Sequence, residues 1–331
     1  MKNIVNSLLL GLTAGAACGA AEMPANWSKS DQQAMETIWQ TPITENTTER
    51  LVAMDRIQSY ANMFTPEEFL AYLQSDDKKV AAMAEKDPII YVLESSFEKV
   101  LREVTNLRVP EGGIYIWNVY NMGYIVKTPK HCFAIDLQHR RAADMIPYLD
   151  FALVTHNHND HFLPDFGEAM KKANKPLYSN FYENGFRQEN PTEFTFGEIT
   201  VKTRRTAHNH RSDQMRRFVT AYEINCGKSA GNCVIMHVGD SFDAAELAAT
   251  QKVDIFIMHL RVGLDVPLAI REYVKCDYAL ISHIIEFTHP VDRWRWSFRD
   301  GIFEAVKCAP LCKKTALPFW GCRWHWQKSM R

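Results

Sequence analysis

The segment THNHNDHF (155–162) packs three histidines and an aspartate into six residues, directly after the apolar run FALV. The chain holds 12 histidines in 331 residues, so chance crowding is a poor explanation. FALV reads as a short buried strand, which puts His156, His158, Asp160 and His161 in the loop leaving it, where sheet proteins commonly place working side chains. A lone histidine there would more often be structural. Four imidazole and carboxylate groups at this spacing point instead to metal. His156 and His158 can converge on one ion, and Asp160 and His161 can serve a neighbouring one. Such a loop constrains the fold, because the missing donors must arrive from remote parts of the chain.

Candidates for those donors lie where other apolar runs end. VKTRRTAHNHRSD offers His208, with His210 as a rival two residues on. VIMHVGDSF offers Asp240, and YALISHIIEFTHP offers His283, with His289 as a rival. His208 and His283 are preferred because each follows its strand immediately. If each donor ends a strand, one sheet edge carries them all. Asp136 and Asp150 are candidate partners for the ligands, with turn or capping roles equally open. His237, inside an apolar run, reads as a core histidine, while His259 could face the site. Arg293, Trp294, Arg295, Trp296, Trp320 and Trp324 concentrate near the C-terminus, where sealing a core is commoner than binding a ligand.

Hydrophobic residues make up 46 % of the chain, charged residues 23 %, and the formal net charge is −1. This is ordinary for a globular protein and argues against a broad footprint for nucleic acid. Residues 1–20 have the layout of a secretory signal peptide, with Lys2, an uncharged stretch from Ile4 to Ala17 and small residues before a cleavage point near Ala20 or Ala21. The expectation is an exported protein, periplasmic or secreted. A lipoprotein anchored at Cys18 is the alternative, and the only one that involves a membrane. Export permits disulfides among the remaining seven cysteines, with Cys226 facing Cys233 across a Gly-rich turn as the best pair and Cys308 with Cys312 a weaker one. Buried reduced thiols are the other reading.

Residues 21–110 form a helical extension in this reading. Thr65, Pro66 and Glu68 make a capping box, and Asp87 and Pro88 repeat the start signal. Residues 111–331 hold the main domain, with a β-rich meander first and strands alternating with helices later, including helices around DAAELAAT and VPLAIREYV. That order fits a layered sheet-and-helix domain.

Over about residues 112–322 the chain resembles the metallo-β-lactamase fold superfamily of binuclear metal hydrolases. THNHNDH matches its first motif in full, and the strand-terminal GDS at 239–241 resembles its Gly-Asp-Ser/Thr segment. NMGYIVKT early, and GDS, HLRVGL, AIREYV and ISH late, look most like the branch of ascorbate-6-phosphate lactonase and N-acylphosphatidylethanolamine phospholipase D. The resemblance implies an α/β (α+β) four-layer αββα sandwich. It implies that His156, His158 and His208 hold one metal, that Asp160, His161 and His283 hold a second, and that Asp240 bridges them. The cofactors would be two divalent ions, zinc first and manganese or iron as alternatives. Asp160 would be both ligand and proton acceptor. An iron oxidoreductase on this scaffold would carry Glu where His158 stands. The implied activity is hydrolysis of an ester-like bond, a lactone or carboxylic ester, in a small-molecule substrate. A phosphodiesterase of phospholipase type and a non-catalytic metal-binding surface protein are the alternatives.

Overall fold

The computed structural model describes residues 27–182, 186–187, 192–260 and 263–328. The expected signal peptide and Cys18 lie outside them. Five helices come first: α1 (Lys29–Gln40), α2 (Thr48–Ala61), α3 (Pro66–Leu73), α4 (Asp77–Ala84) and α5 (Pro88–Asn106). Each starts on a residue whose side chain accepts a backbone N–H of the first turn, namely Ser28, Thr47, Thr65, Asp76 and Asp87. The capping box read at Thr65 and Glu68 is present.

The rest runs β1 (Gly113–Tyr120), β2 (Gly123–Lys127), β3 (Cys132–Ile135), β4 (Phe151–Leu153), α6 (Pro164–Lys172), β5 (Leu177–Ser179), β6 (Phe186–Arg187), β7 (Glu193–Phe196), β8 (Ile199–Thr206), β9 (Val219–Asn225), β10 (Val234–His237), β11 (Ile255–His259), α7 (Val266–Leu268), β12 (Tyr278–Ser282), α8 (Phe298–Cys308), β13 (Lys314–Ala316) and β14 (Arg323–Gln327). These strands form two seven-stranded sheets, ordered β14-β1-β2-β3-β4-β5-β6 and β13-β12-β11-β10-β9-β8-β7. In the first sheet successive residues face opposite ways. Trp117, Ile125, Ala134 and Ala152 pack with Phe97 and Val100 of α5 and Phe166 and Met170 of α6. Ile116, Val126, Phe133 and Leu153 face a second core with Val201, Ile235 and Ile257 of the other sheet. With α8 lying against β12 and β13, the layers are helix, sheet, sheet, helix, the four-layer order that the resemblance implies.

The helical extension shares the inter-sheet core through Ile38, Met54, Ile57, Phe64 and Phe69. Buried Arg295 donates to the carbonyls of Ala61 and Phe64, and Trp39 donates to that of Trp320. Arg295, Trp296 and Trp320 therefore serve packing, and of the C-terminal Arg/Trp group only Trp294 lines the cavity described below.

Two expectations change. DAAELAAT forms only a 3-10 turn over Ala244–Leu247, because Glu246 turns back to accept Ala207 N–H and Ala249 N–H pairs with the Tyr273 carbonyl. VPLAIREYV is α7 followed by a π-helical turn over Ala269–Val274. Cys226 and Cys233 do lie opposite one another, Cys226 N–H donating to the Cys233 carbonyl at 2.8 Å. The seven described cysteines nevertheless all carry free thiols, as in the buried-thiol reading. No helix among the described residues is long and apolar enough to cross a membrane.

Candidate metal centre

Strands β10, β11 and β12 are parallel, and β8 runs with them because it is antiparallel to β9, which is antiparallel to β10. Their C-terminal ends therefore share one side. His208 follows β8, Asp240 follows β10 and His283 follows β12. The His156–His161 loop follows β4, which belongs to the other sheet. The expected single sheet edge is thus a rim to which both sheets contribute. The sheets meet there: Thr220 N–H donates to the Thr155 carbonyl at 2.8 Å, and Tyr222 Oη donates to the Val154 carbonyl at 2.8 Å. Gly239 makes the approach feasible. Its φ is +49°, and a Cβ there would meet Thr155 at 2.7 Å.

The rim gathers all seven candidate donors into two groups, His156, His158, His208 and Asp240, and Asp160, His161, His283 and Asp240, with the ligand atoms of each group within 4.8 Å of one another. Asp240 divides its oxygens between them. Oδ2 lies 3.5 Å from His208 Nε2 and 3.9 Å from His156 Nε2, while Oδ1 lies 3.2 Å from His161 Nε2 and 3.6 Å from His283 Nε2. Asp160 Oδ2 is 3.2 Å from both His161 Nε2 and His283 Nε2. Donors about 2.1 Å from a tetrahedral zinc stand about 3.4 Å apart, so these gaps are ion-sized. The buried atoms His156 Nε2, His161 Nε2, His283 Nε2 and Asp240 Oδ1 have no hydrogen-bond partner. Buried polar atoms are normally paired, so four orphans converging on two points fit metal ions. The donor set suits zinc, manganese and iron alike.

Neighbouring side chains aim the ligands. Asp136, just past β3, takes Thr155 N–H at 2.7 Å and Thr155 Oγ1–H at 2.7 Å, and stands 2.9 Å from His161 Nδ1. Thr155 Oγ1 is 3.0 Å from His156 Nδ1. These contacts hold both Nδ1 atoms away from the rim and leave both Nε2 atoms facing it. Asn121, at the β1–β2 turn, donates to the Asp160 carboxylate at 3.3 Å and to its carbonyl at 3.2 Å. Asn121, Asp136 and His283 all have positive φ (49°, 45° and 60°), backbone strain of a kind that clusters at working sites. Burial alone would lower His161 and His283, but Asp160 and Asp240 lift His161 well above its ordinary value and His283 to about 9. Burial would raise both carboxyls, yet these imidazoles hold them well below the usual range. Burial, with neighbouring imidazoles, depresses His156 and His158. The two carboxylates thus favour positive charge at this point, which a divalent cation would supply.

The other candidates stay outside the two donor groups, although His210 and His289 line the cavity above them. His210 is exposed and bound to Asp243 at 2.6 Å, and His289 is held by Glu286. Asp150 accepts Cys132 N–H at 2.9 Å at the far end of β3, a turn role, whereas Asp136 reaches the rim. His237 is a core histidine bonded to the Met122 carbonyl, and buried His259 bonds the Ser241 carbonyl beside Asp240. Thr155, Asn121 and Glu286 were not singled out from sequence. Thr155 stood inside the motif itself, and Asn121 in a turn-like NMG, a signal too short to read alone. Over the rim opens a cavity of about 750 Å³, lined among others by Phe242, Trp294, His289 and Arg211.

No family profile matches the chain, and no curated protein matches it. Solved structures do. Igni18, a metallo hydrolase from the archaeon Ignicoccus hospitalis, is 13 % identical over 66 % of this chain and 100 % of its own, with a TM-score of 0.50. CmlA, a diiron β-hydroxylase from Streptomyces venezuelae, is 12 % identical over 66 % of this chain and 55 % of its own, with a TM-score of 0.51. At such identities the likeness is one of fold, and this fold hosts both kinds of chemistry in those two proteins.

Proposed function

We propose that this protein is a metal-dependent hydrolase with two divalent ions, acting on an ester-like bond of a small substrate. The observation that carries the reading is the pair of donor groups sharing Asp240, one oxygen turned to each, at the floor of the cavity. When bound, two such ions supply a water that is acidic near neutral pH and polarise the electrophile. The chain supplies the rest. Thr155 and Asp136 fix the imidazoles, Asn121 fixes Asp160, and in this reading Asp160 takes or orients a proton. Phe242 and Trp294 give the cavity apolar walls. His158 sides with hydrolysis, since the iron oxidoreductase pattern would put Glu there. Lactones and carboxylic esters are the first substrates to try, phosphodiesters the second.

Elemental analysis of purified mature protein should give close to two metals per chain, most simply zinc. A screen of lactones, carboxylic esters and phosphodiesters should find turnover that His158→Ala and Asp240→Ala abolish. A chain that takes up no metal, or activity that survives both substitutions, would sink the proposal. Oxygen consumption without hydrolysis would favour an oxidoreductase instead.

A further inference from the structure

Glu286 is fully buried, yet nothing assigned so far to the metal centre uses it. It follows β12 by four residues. One carboxylate oxygen accepts Thr288 N–H, and the other lies 2.5 Å from His289 Nδ1. A buried carboxylate is costly unless paired, so this pairing explains its presence. The consequence falls on His289. Its Nδ1 is committed to Glu286, its carbonyl accepts from Arg295 Nε at 2.7 Å, and its ring lines the cavity beside His158, Asp160, His208, Asp240 and His283. Among the described residues its Nε2 makes no hydrogen bond, which leaves that nitrogen for whatever enters the cavity. The ring is 40 % exposed, whereas the nearby His283 is 3 % exposed. The geometry is that of a carboxylate-oriented imidazole, a recurrent arrangement for moving protons.

We infer that His289 is the proton donor to the leaving group, positioned by Glu286. The inference rests on the hydrolase reading. Water oxygen bonds to the carbonyl or phosphoryl centre, the bond from that centre to the leaving oxygen breaks, and His289 Nε2 gives that oxygen its proton. The proton lost by the attacking water restores the imidazolium. The charged groups facing His289 agree with this role. Glu286 on its own segment and Asp160 from the β4 loop favour the protonated ring, and His283 opposes it. The hydrogen bond to Glu286, the largest influence, raises His289 above its ordinary value.

The test uses zinc-loaded protein. His289→Gln and Glu286→Gln should keep the metal content of the parent. On esters or phosphodiesters with alkoxide leaving groups, which need a proton, His289→Gln should lose about 100-fold in kcat. On p-nitrophenyl substrates, whose leaving group needs none, the loss should be within about three-fold. Equal losses on both substrate classes, or none on either, would overturn the role. NMR titration of His289 gives a readout independent of turnover: its midpoint should drop in Glu286→Gln, and an unchanged midpoint would refute the pairing. Absence of any hydrolysis by the parent would count against the proposed function, while the titration would still decide the dyad.

Discussion

Thr155 touches both halves of the candidate centre: one hydroxyl meets Asp136, His156 and, at 3.5 Å, His161. Removing it or Asp136 should leave every ligand in place but free the imidazoles to turn. Asp136→Asn is expected to weaken zinc binding by about 10–100-fold, measured by competition with a chromogenic chelator. Unchanged affinity would show that His161 needs no orienting partner. The same residues show what could be read in advance. Asp136 and Asp150 both flank strands, and sequence weighed them equally. What separates them is direction: Asp136 follows β3 and so reaches the rim, while Asp150 precedes β4 and ends at the other side. For parallel neighbours, the residue after the strand is the informative one. His208 and His283 each follow a strand in the same way, and each joins one of the two donor groups, whereas His210 and His289 join neither.

The helical extension is tied to the sandwich by a buried polar network. His139, beyond β3, stacks on Phe97 of α5 at 4.0 Å, and its Nε2 lies 2.7 Å from Tyr72 Oη of α3. Tyr72 donates to Glu94, which also pairs with Arg140 at 2.6 Å. Arg141 N–H donates to His139 Nδ1, so both ring nitrogens are satisfied only in the neutral form. Burial pushes His139 down to about 3, against an unfolded value near 6.5. Between those values the unfolded chain binds a proton that the folded one refuses. Stability from this group is complete above about pH 6.5 and falls as pH drops toward 3. Thermal melts should show Tm falling across that window, and His139→Gln should flatten the slope. A slope unchanged in the variant would place the acid sensitivity elsewhere. The helix starts here were legible because caps are local chemistry. The lost helix at DAAELAAT was not, because Glu246 is claimed by Ala207, far away in the chain.

At the scale of the whole molecule, the meander and the later alternation were readable, but the division into two sheets was not. The chain leaves the first sheet after β6 and returns to it only at β14, which pairs with β1 from the far end of the sequence, a partner choice no local pattern encodes. That division gives the donors a mechanical role, since one loop comes from the first sheet and three strand ends come from the second. Metal bound at the rim would tie the sheets together. Free metal at about 1,000 times its Kd would add about 4 kcal/mol, worth roughly 6 °C for a chain of this size. Chelator-treated protein should melt lower by about that much and recover on reloading with zinc. A melt indifferent to metal would mean that these donors hold none.

Asp240 has a consequence for how such a centre fills. Its single carboxylate faces both ways, so the two positions cannot behave as independent reservoirs. An ion held on one side would fix the carboxylate's torsion and draw on the charge available to the other side. Whatever factor the first occupant imposes on the second, the second imposes on the first, because linkage is reciprocal. Under metal scarcity, the mixture of empty, half-filled and complete molecules would therefore depend on the coupling through this one residue as well as on the two intrinsic affinities.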